Sequence, residues 1–203
     1  PAAKTAFLKD LYRGMLAVAR RFGVSVVGGD TNASGSWVIC VTLLGWVRRG
    51  KALLRSGAKA GDWIFVSGAL GGSLLSGKHL SFIPRIHEAR YLAGRFKVHA
   101  MMDLSDGLAS DLARIAEESR VGAVLEERLI PKTSRSISLK NALTDGEDFE
   151  LLFTLSPRDG ARLARAGKSS GSVPFTKIGE IVSQKRGIRI LRTNGKLEKL
   201  IGA

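Results

Sequence analysis

Apolar residues at Phe7, Leu8, Leu11, Met15, Val18 and Phe22 recur at helical spacing, so the chain opens on an amphipathic helix over residues 6–22. The period then changes. Residues 24–27 read as a short buried strand, residues 28–35 as a polar, glycine-bearing turn, and residues 37–47 as a long strand that is apolar on both faces. A strand of that kind is covered on both sides, by helices or by a partner subunit. Residues 48–62 carry Lys51, Arg55 and Lys59 among glycines and read as a basic linker, which places a domain boundary between residues 50 and 51. Beyond it, strands are expected at 63–67, 98–102, 122–126, 149–155, 177–182 and 188–191. Helices are expected after Pro84, from Leu108, within 134–143 and over 157–166. In the helix from Leu108, the residues Leu108, Leu112, Ile115 and Ala116 form the apolar stripe, with Asp111, Arg114, Glu117 and Glu118 placed off it. Alternation of the two element types gives an α/β class (α+β, two domains): a small N-terminal part, 1–50, and a larger C-terminal α/β domain, 51–203.

Composition narrows what such a fold can do. A chain of 203 residues with 44% hydrophobic content can bury a real core. The net charge of +14 suits nucleic acid, anionic lipid or phosphorylated small molecules, and equally a solvated basic surface. Aromatic residues are few, so stacking platforms for single-stranded nucleic acid are not expected. The lone Cys40 lies in an apolar run and is expected to be buried; it rules out an internal disulfide and fits a reducing, cytoplasmic compartment. No run is long enough to cross a membrane as a helix.

The chemistry is concentrated at four glycine-bearing turns. At residues 101–109 a strand pattern meets Asp103, Ser105, Asp106 and Gly107 and then becomes a helix. Two carboxylates three residues apart offer the hard oxygen ligands that Mg²⁺ prefers, and the helix start favours a phosphate. The plainer reading is a helix cap by Ser105 or Asp106. At Gly28-Gly29-Asp30-Thr31 the glycines permit close backbone approach to a phosphate and Asp30 can hold a metal; a hairpin turn is the alternative. Gly146-Glu147-Asp148 can face a cationic or hydroxyl-bearing ligand, or be a solvated turn. Arg55 can clamp a phosphate, or be an exposed linker arginine.

Taken in order, these segments resemble the thiamine-monophosphate kinase family. The resemblance is carried by Gly28-Gly29-Asp30-Thr31, Leu54-Arg55-Ser56-Gly57-Ala58-Lys59, Gly61-Asp62, Ser67-Gly68-Ala69-Leu70-Gly71, Met102-Asp103-Leu104-Ser105-Asp106-Gly107-Leu108, Gly146-Glu147-Asp148-Phe149-Glu150 and Lys177-Ile178-Gly179-Glu180-Ile181. It implies ATP-dependent phosphorylation of thiamine monophosphate to thiamine diphosphate by direct in-line transfer, with Mg²⁺. By position it implies that Gly29, Asp30, Arg55 and Ser105 contact ATP, and that Asp30, Asp103 and Asp106 ligate magnesium. Asp103 and Asp106 would then be the catalytic pair, and Glu147 and Asp148 would contact the thiamine substrate. It also implies a homodimer formed through the first domain. Two departures stand out. The family's aspartate-rich N-terminal segment has no counterpart ahead of Gly28, which implies either a chain lacking its beginning or a lost activity. Gly71-Gly72 stands where the family carries Gly-Asp. Two other readings stay open: a related ATP-dependent synthetase of the same superfamily (aminoimidazole ribonucleotide synthetase-like or selenophosphate synthetase-like), and a basic nucleic-acid-binding module.

Overall fold

The structure, a computed structural model, describes residues 4–134, 136–166 and 173–200. It divides into two units, Pro1–Trp46 and Val47–Ala203. In the first, helix α1 spans Thr5–Arg21. Arg20 and Arg21 sit in its last turn, where cations offset the carbonyl dipoles, and Gly23 at φ 65° ends it. Phe7 rests on Trp37, ring centroids 4.6 Å apart.

The apolar runs that follow correct the sequence expectation. Residues 24–27 and 37–47 are not strands here; among the described residues none of them joins a ladder. Leu44 and Trp46 are 92% and 105% exposed, and Cys40 is exposed rather than buried. The physical reason is that an apolar pattern marks fitness for a sheet, whereas a strand exists only through hydrogen bonds to a neighbour.

The second unit is built on one seven-stranded sheet. Its strands are β1 (Trp63–Ser67), β2 (Val98–Asp103), β3 (Val121–Glu126), β4 (Leu151–Leu155), β5 (Phe175–Ser183), β6 (Ile188–Leu191) and β7 (Leu197–Lys199), in the order β2-β4-β1-β5-β3-β6-β7. Neighbours are antiparallel except β3 and β6. The terminal β7 is exposed along its length and carried no apolar signal. The helices are α2 (Ser73–Ser76), α3 (Ile86–Arg95), α4 (Leu108–Ser119), α5 (Leu139–Thr144) and α6 (Pro157–Ala166).

The two faces of the sheet bury separate cores. On one, Ile64, Val66, Ala100, Met102 and Leu152 meet Leu108, Leu112 and Ile115 of α4 and Leu143 of α5. On the other, Phe65, Met101, Phe153 and Leu155 meet Leu92 of α3 and Leu163 of α6. Each fully buried Leu or Ile contributes about 1.5–3 kcal/mol. With both faces covered, every position of β4 is buried and the strand shows no polar alternation. At Gly160 of α6 an added Cβ would lie 2.6 Å from the Trp63 ring, so the missing side chain lets α6 settle onto the sheet.

The pairing of β2 with β4 positions everything that follows. Asp103, the last residue of β2, is opposite Leu151, the first of β4. The turn leaving β2 and the turn entering β4 therefore emerge at the same end of adjacent strands.

Candidate active site

The turn leaving β2 is held from below. Asp111, one turn into α4 and fully buried, accepts the backbone N–H of Ser105 at 2.9 Å and of Asp106 at 3.1 Å. It sits on the same stripe as Leu108, Leu112 and Ile115, which corrects its expected place off that stripe. Burial pushes its carboxyl up, against the opposing pull of the two amides and of Arg114. The helix cap is Gly107, without a side-chain bond, so neither Ser105 nor Asp106 is spent as an N-cap. Gly107 has φ 105°, and a Cβ there would stand 2.9 Å from the Leu143 carbonyl. A side chain is thus excluded on two grounds.

The consequence is a turn whose acidic side chains face outward. Asp103 and Asp106 are exposed. Arg114 reaches over to Asp106 and also bonds Asp111 at 2.5 Å, so one guanidinium ties the exposed carboxylate to the buried one. Those contacts, led by the hydrogen bond to Asp106, push the Arg114 guanidinium above its ordinary value. Among the described residues the Asp103 carboxylate and the Ser105 hydroxyl have no hydrogen-bond or ion-pair partner.

The turn entering β4 is strapped to the first by backbone bonds. Glu147 donates to the Ser105 carbonyl at 2.8 Å, Phe149 to Leu104 at 2.8 Å, and Leu104 in return to Glu150 at 2.8 Å. Glu147 and Phe149 are both left-handed, at φ 56° and 50°. Side chains rarely adopt that conformation, and it persists only where surrounding contacts over-determine it. Two such contacts hold this turn. The Ser73 hydroxyl donates to the Glu147 carbonyl at 2.6 Å, and Phe149 stacks on Phe82 with centroids 4.1 Å apart.

Alternate carboxylates in this turn point inward. Asp148 is 2% exposed and accepts the Gly71 amide with both oxygens, at 2.9 and 3.1 Å. Burial pushes its carboxyl up, in spite of that amide and the nearby Lys78 charge. Glu150 is 1% exposed and accepts from Ser67 at 2.7 Å, Lys78 at 3.0 Å and the Arg85 fork at 2.7 Å twice. Burial alone would raise the Glu150 carboxyl; the bonds from Arg85, Ser67 and Lys78 outweigh it and hold the group below its usual value. The Glu147 side chain, just before those two, is half-buried and makes no side-chain bond among the described residues.

Three polar side chains therefore stand unspent on two strapped turns: Asp103, Ser105 and Glu147. Arg55 is carried on the outer edge of β2, where the Leu54 carbonyl accepts from Met101 at 2.9 Å and the Arg55 carbonyl from Ser119 at 3.0 Å. Its side chain is exposed. In the first unit, Gly29 and Asp30 are exposed, and the Asp30 carboxylate accepts from the Thr31 amide at 2.8 Å and from Asn32 at 2.9 Å. Among the described residues no three His, Cys, Asp or Glu side chains form a ready metal cage. The donor set nonetheless suits magnesium, which usually takes only one or two carboxylates and fills its sphere with water and phosphate oxygens. Sequence reasoning missed the supporting residues Asp111, Arg114, Ser67, Ser73, Lys78 and Arg85. For Asp111 a signal existed, since 108, 111, 112 and 115 share one helical face.

Comparison with known proteins identifies the family. The profile of the AIR synthase related protein N-terminal domain matches residues 1–47, and that of the C-terminal domain residues 59–192. A thiamine-monophosphate kinase of Rhodopirellula baltica is 38% identical over 190 residues, covering 89% of this chain and 58% of its own length. One from Buchnera aphidicola is 32% identical over 225 residues, covering 97% and 68%. Among solved structures, a thiamine-monophosphate kinase from Stenotrophomonas maltophilia is 26% identical with a TM-score of 0.74, covering 97% of this chain and 69% of that one. A second, described as AaThiL complexed with AMPPCP and TMP, is 26% identical with a TM-score of 0.57, covering 73% and 52%. The chain thus spans just under three-fifths of the Rhodopirellula relative.

Proposed function

The chain belongs to the thiamine-monophosphate kinase family of AIR synthase related proteins, and from that premise we propose that it carries residues of a site for ATP-dependent phosphorylation of thiamine monophosphate to thiamine diphosphate. The observation that carries this reading is the strapping of the Asp103–Gly107 turn to the Gly146–Glu150 turn, with Asp103, Ser105 and Glu147 left unspent.

In this reading Asp103 and Asp106 would hold Mg²⁺, Arg55 and Ser105 contact ATP, and Glu147 faces the thiamine substrate. For the first unit, Gly29 and Asp30 are proposed as ATP contacts and Asp30 as a magnesium ligand. Magnesium, when bound, neutralises phosphate oxygens during transfer. The chain's own residues orient and stabilise. Asp111 fixes the amides of Ser105 and Asp106, so the outward carboxylates are pre-positioned before any ligand arrives. Arg114 balances the charge on Asp106 until a cation shares it. Asp148, expected against the substrate, is buried with both oxygens on the Gly71 amide and is read instead as a positioning residue for the turn that carries Glu147. Phosphoryl transfer needs little covalent help from protein, and no nucleophilic side chain is required.

Residues 1–50 would serve ATP binding, magnesium binding and homodimerisation, and 51–203 would form the C-terminal domain. The exposed apolar run before Val47 supports an assembly that covers it. A lone free cysteine supports a cytoplasmic setting. Among the described residues no helix is long and apolar enough to cross a membrane.

The test is ADP release by the intact protein with ATP and Mg²⁺. Release strictly dependent on thiamine monophosphate is the expected outcome. Release driven instead by an amide-forming or selenium-bearing substrate would transfer the protein to a sister synthetase.

A further inference from the structure

On the sheet face opposite α4, helices α3 and α6 leave an open cavity of about 460 Å³ between their C-terminal halves. It is lined by Tyr91, Arg95, Phe96, Arg162, Arg165 and Ala166. No residue proposed above for kinase chemistry belongs to it.

Three arginines line it. Arg95 lies over the Tyr91 ring at 5.2 Å, and Arg162 over the Phe96 ring at 5.3 Å. The rings are themselves fixed: Tyr91 stacks on Phe175 and tilts against Phe96, and Phe175 meets buried Phe153 edge-on. Two of the three guanidiniums are therefore held by cation–π contact on a rigid aromatic floor, so less side-chain entropy is lost when they grip a ligand. The third, Arg165, is braced by its Nε bond to the Ala161 carbonyl at 3.3 Å.

Charge in this cavity is not balanced. Asp159 pairs with Arg162 at 2.6 Å, but among the described residues neither Arg95 nor Arg165 has a carboxylate partner. Both stand in last helical turns, where cations offset the carbonyl dipoles. That explains why arginine is tolerated at each position. It does not explain why three should meet on one concave surface, where like charges repel in the absence of an anion.

We propose that this cavity is a second anion site, taking a small molecule that bears two or more linked phosphoryl groups. Planar guanidinium forks match phosphoryl oxygens bidentately, and the volume lies within the range of small-molecule sites. The site needs no metal, because its own groups are cationic. The carboxylate turns, by contrast, repel a polyphosphate when no divalent ion is present.

That contrast supplies the test. The full chain is titrated calorimetrically with inorganic tripolyphosphate in EDTA at low ionic strength. One-to-one binding is expected, weakened about tenfold or more by the double change Arg95→Gln and Arg165→Gln, as for loss of charge-assisted hydrogen bonds. Both residues are exposed, so the variant keeps its fold, to be verified by an unchanged melting temperature. Asp103→Asn should leave this metal-free binding as it was. Absent binding, or binding indifferent to the two arginines, overturns the proposal. So does a short single-stranded oligonucleotide that binds through the same arginines more tightly than tripolyphosphate. None of these outcomes depends on the kinase reading.

Discussion

Two groups of carboxylates around the adjacent turns contrast in environment. Asp103 and Asp106 are exposed, and among the described residues Asp103 spends none of its oxygens on protein. Asp111, Asp148 and Glu150 are buried, and each takes backbone amides or cationic side chains. The lesson is a division of labour. Buried carboxylates are costly unless satisfied, so they are tied into the structure and hold loops in place. Exposed ones remain available to a ligand. The buried set makes the exposed set useful, because it freezes the turns that present it.

The largest effect should come from attacking the exposed pair where function is read. Asp103→Asn or Asp106→Asn should lower kcat for thiamine-monophosphate phosphorylation by roughly 10³-fold, as when a preorganised electrostatic contact to the transition state is lost. Near-normal turnover in either variant would mean that these carboxylates do not hold the metal.

Next comes the deepest member of the buried set. Glu150→Gln leaves Lys78 and Arg85 beside a neutral group and should cost about 3 kcal/mol in urea unfolding. Its pH dependence has a definite sign. The folded Glu150 carboxyl sits below its unfolded value, so its stabilisation is complete above the ordinary glutamate range near about 4.3. It is lost as pH falls through the lower folded value, so the gap between parent and variant should close in acid. A gap that widened there would refute the assignment.

Asp148 should behave in the opposite sense. Its folded carboxyl lies above the unfolded value near about 3.9, so the native state holds the proton longer. The parent should lose stability relative to Asp148→Asn as pH rises from that value through the folded one. Chemical denaturation of both proteins across mildly acid pH measures the trend, and a flat difference would sink it.

The smallest effect sharpens the comparison most. Asp103→Asn should change unfolding free energy by no more than about 0.5 kcal/mol, as for an exposed side chain with no partner. A large loss of stability would show that Asp103 belongs with the structural group after all.

The legible part of this molecule is its local part. The apolar stripe of α4, the strand before Asp103 and the glycine after Asp106 all lie within twenty residues, and their spacing alone indicated a strand, a tight turn and a helix. The duties of Asp148 and Glu150 were not legible. Their partners Gly71, Ser67, Lys78 and Arg85 are between 65 and 83 residues away, and no local pattern pairs them. The expected strand over 37–47 failed for the same reason. Its composition recorded suitability for a sheet, while the ladder that makes a strand depends on a neighbour.

The order of residues thus determined most of the helices and strands of the second unit, α2 and β7 aside, and which carboxylates stood at glycine turns. Only the antiparallel register of β2 against β4 decided that two of those turns would touch. The same packing decided which acids would face water. Periodicity is a property of neighbours in sequence, whereas burial and the partners of a buried charge are properties of neighbours in space.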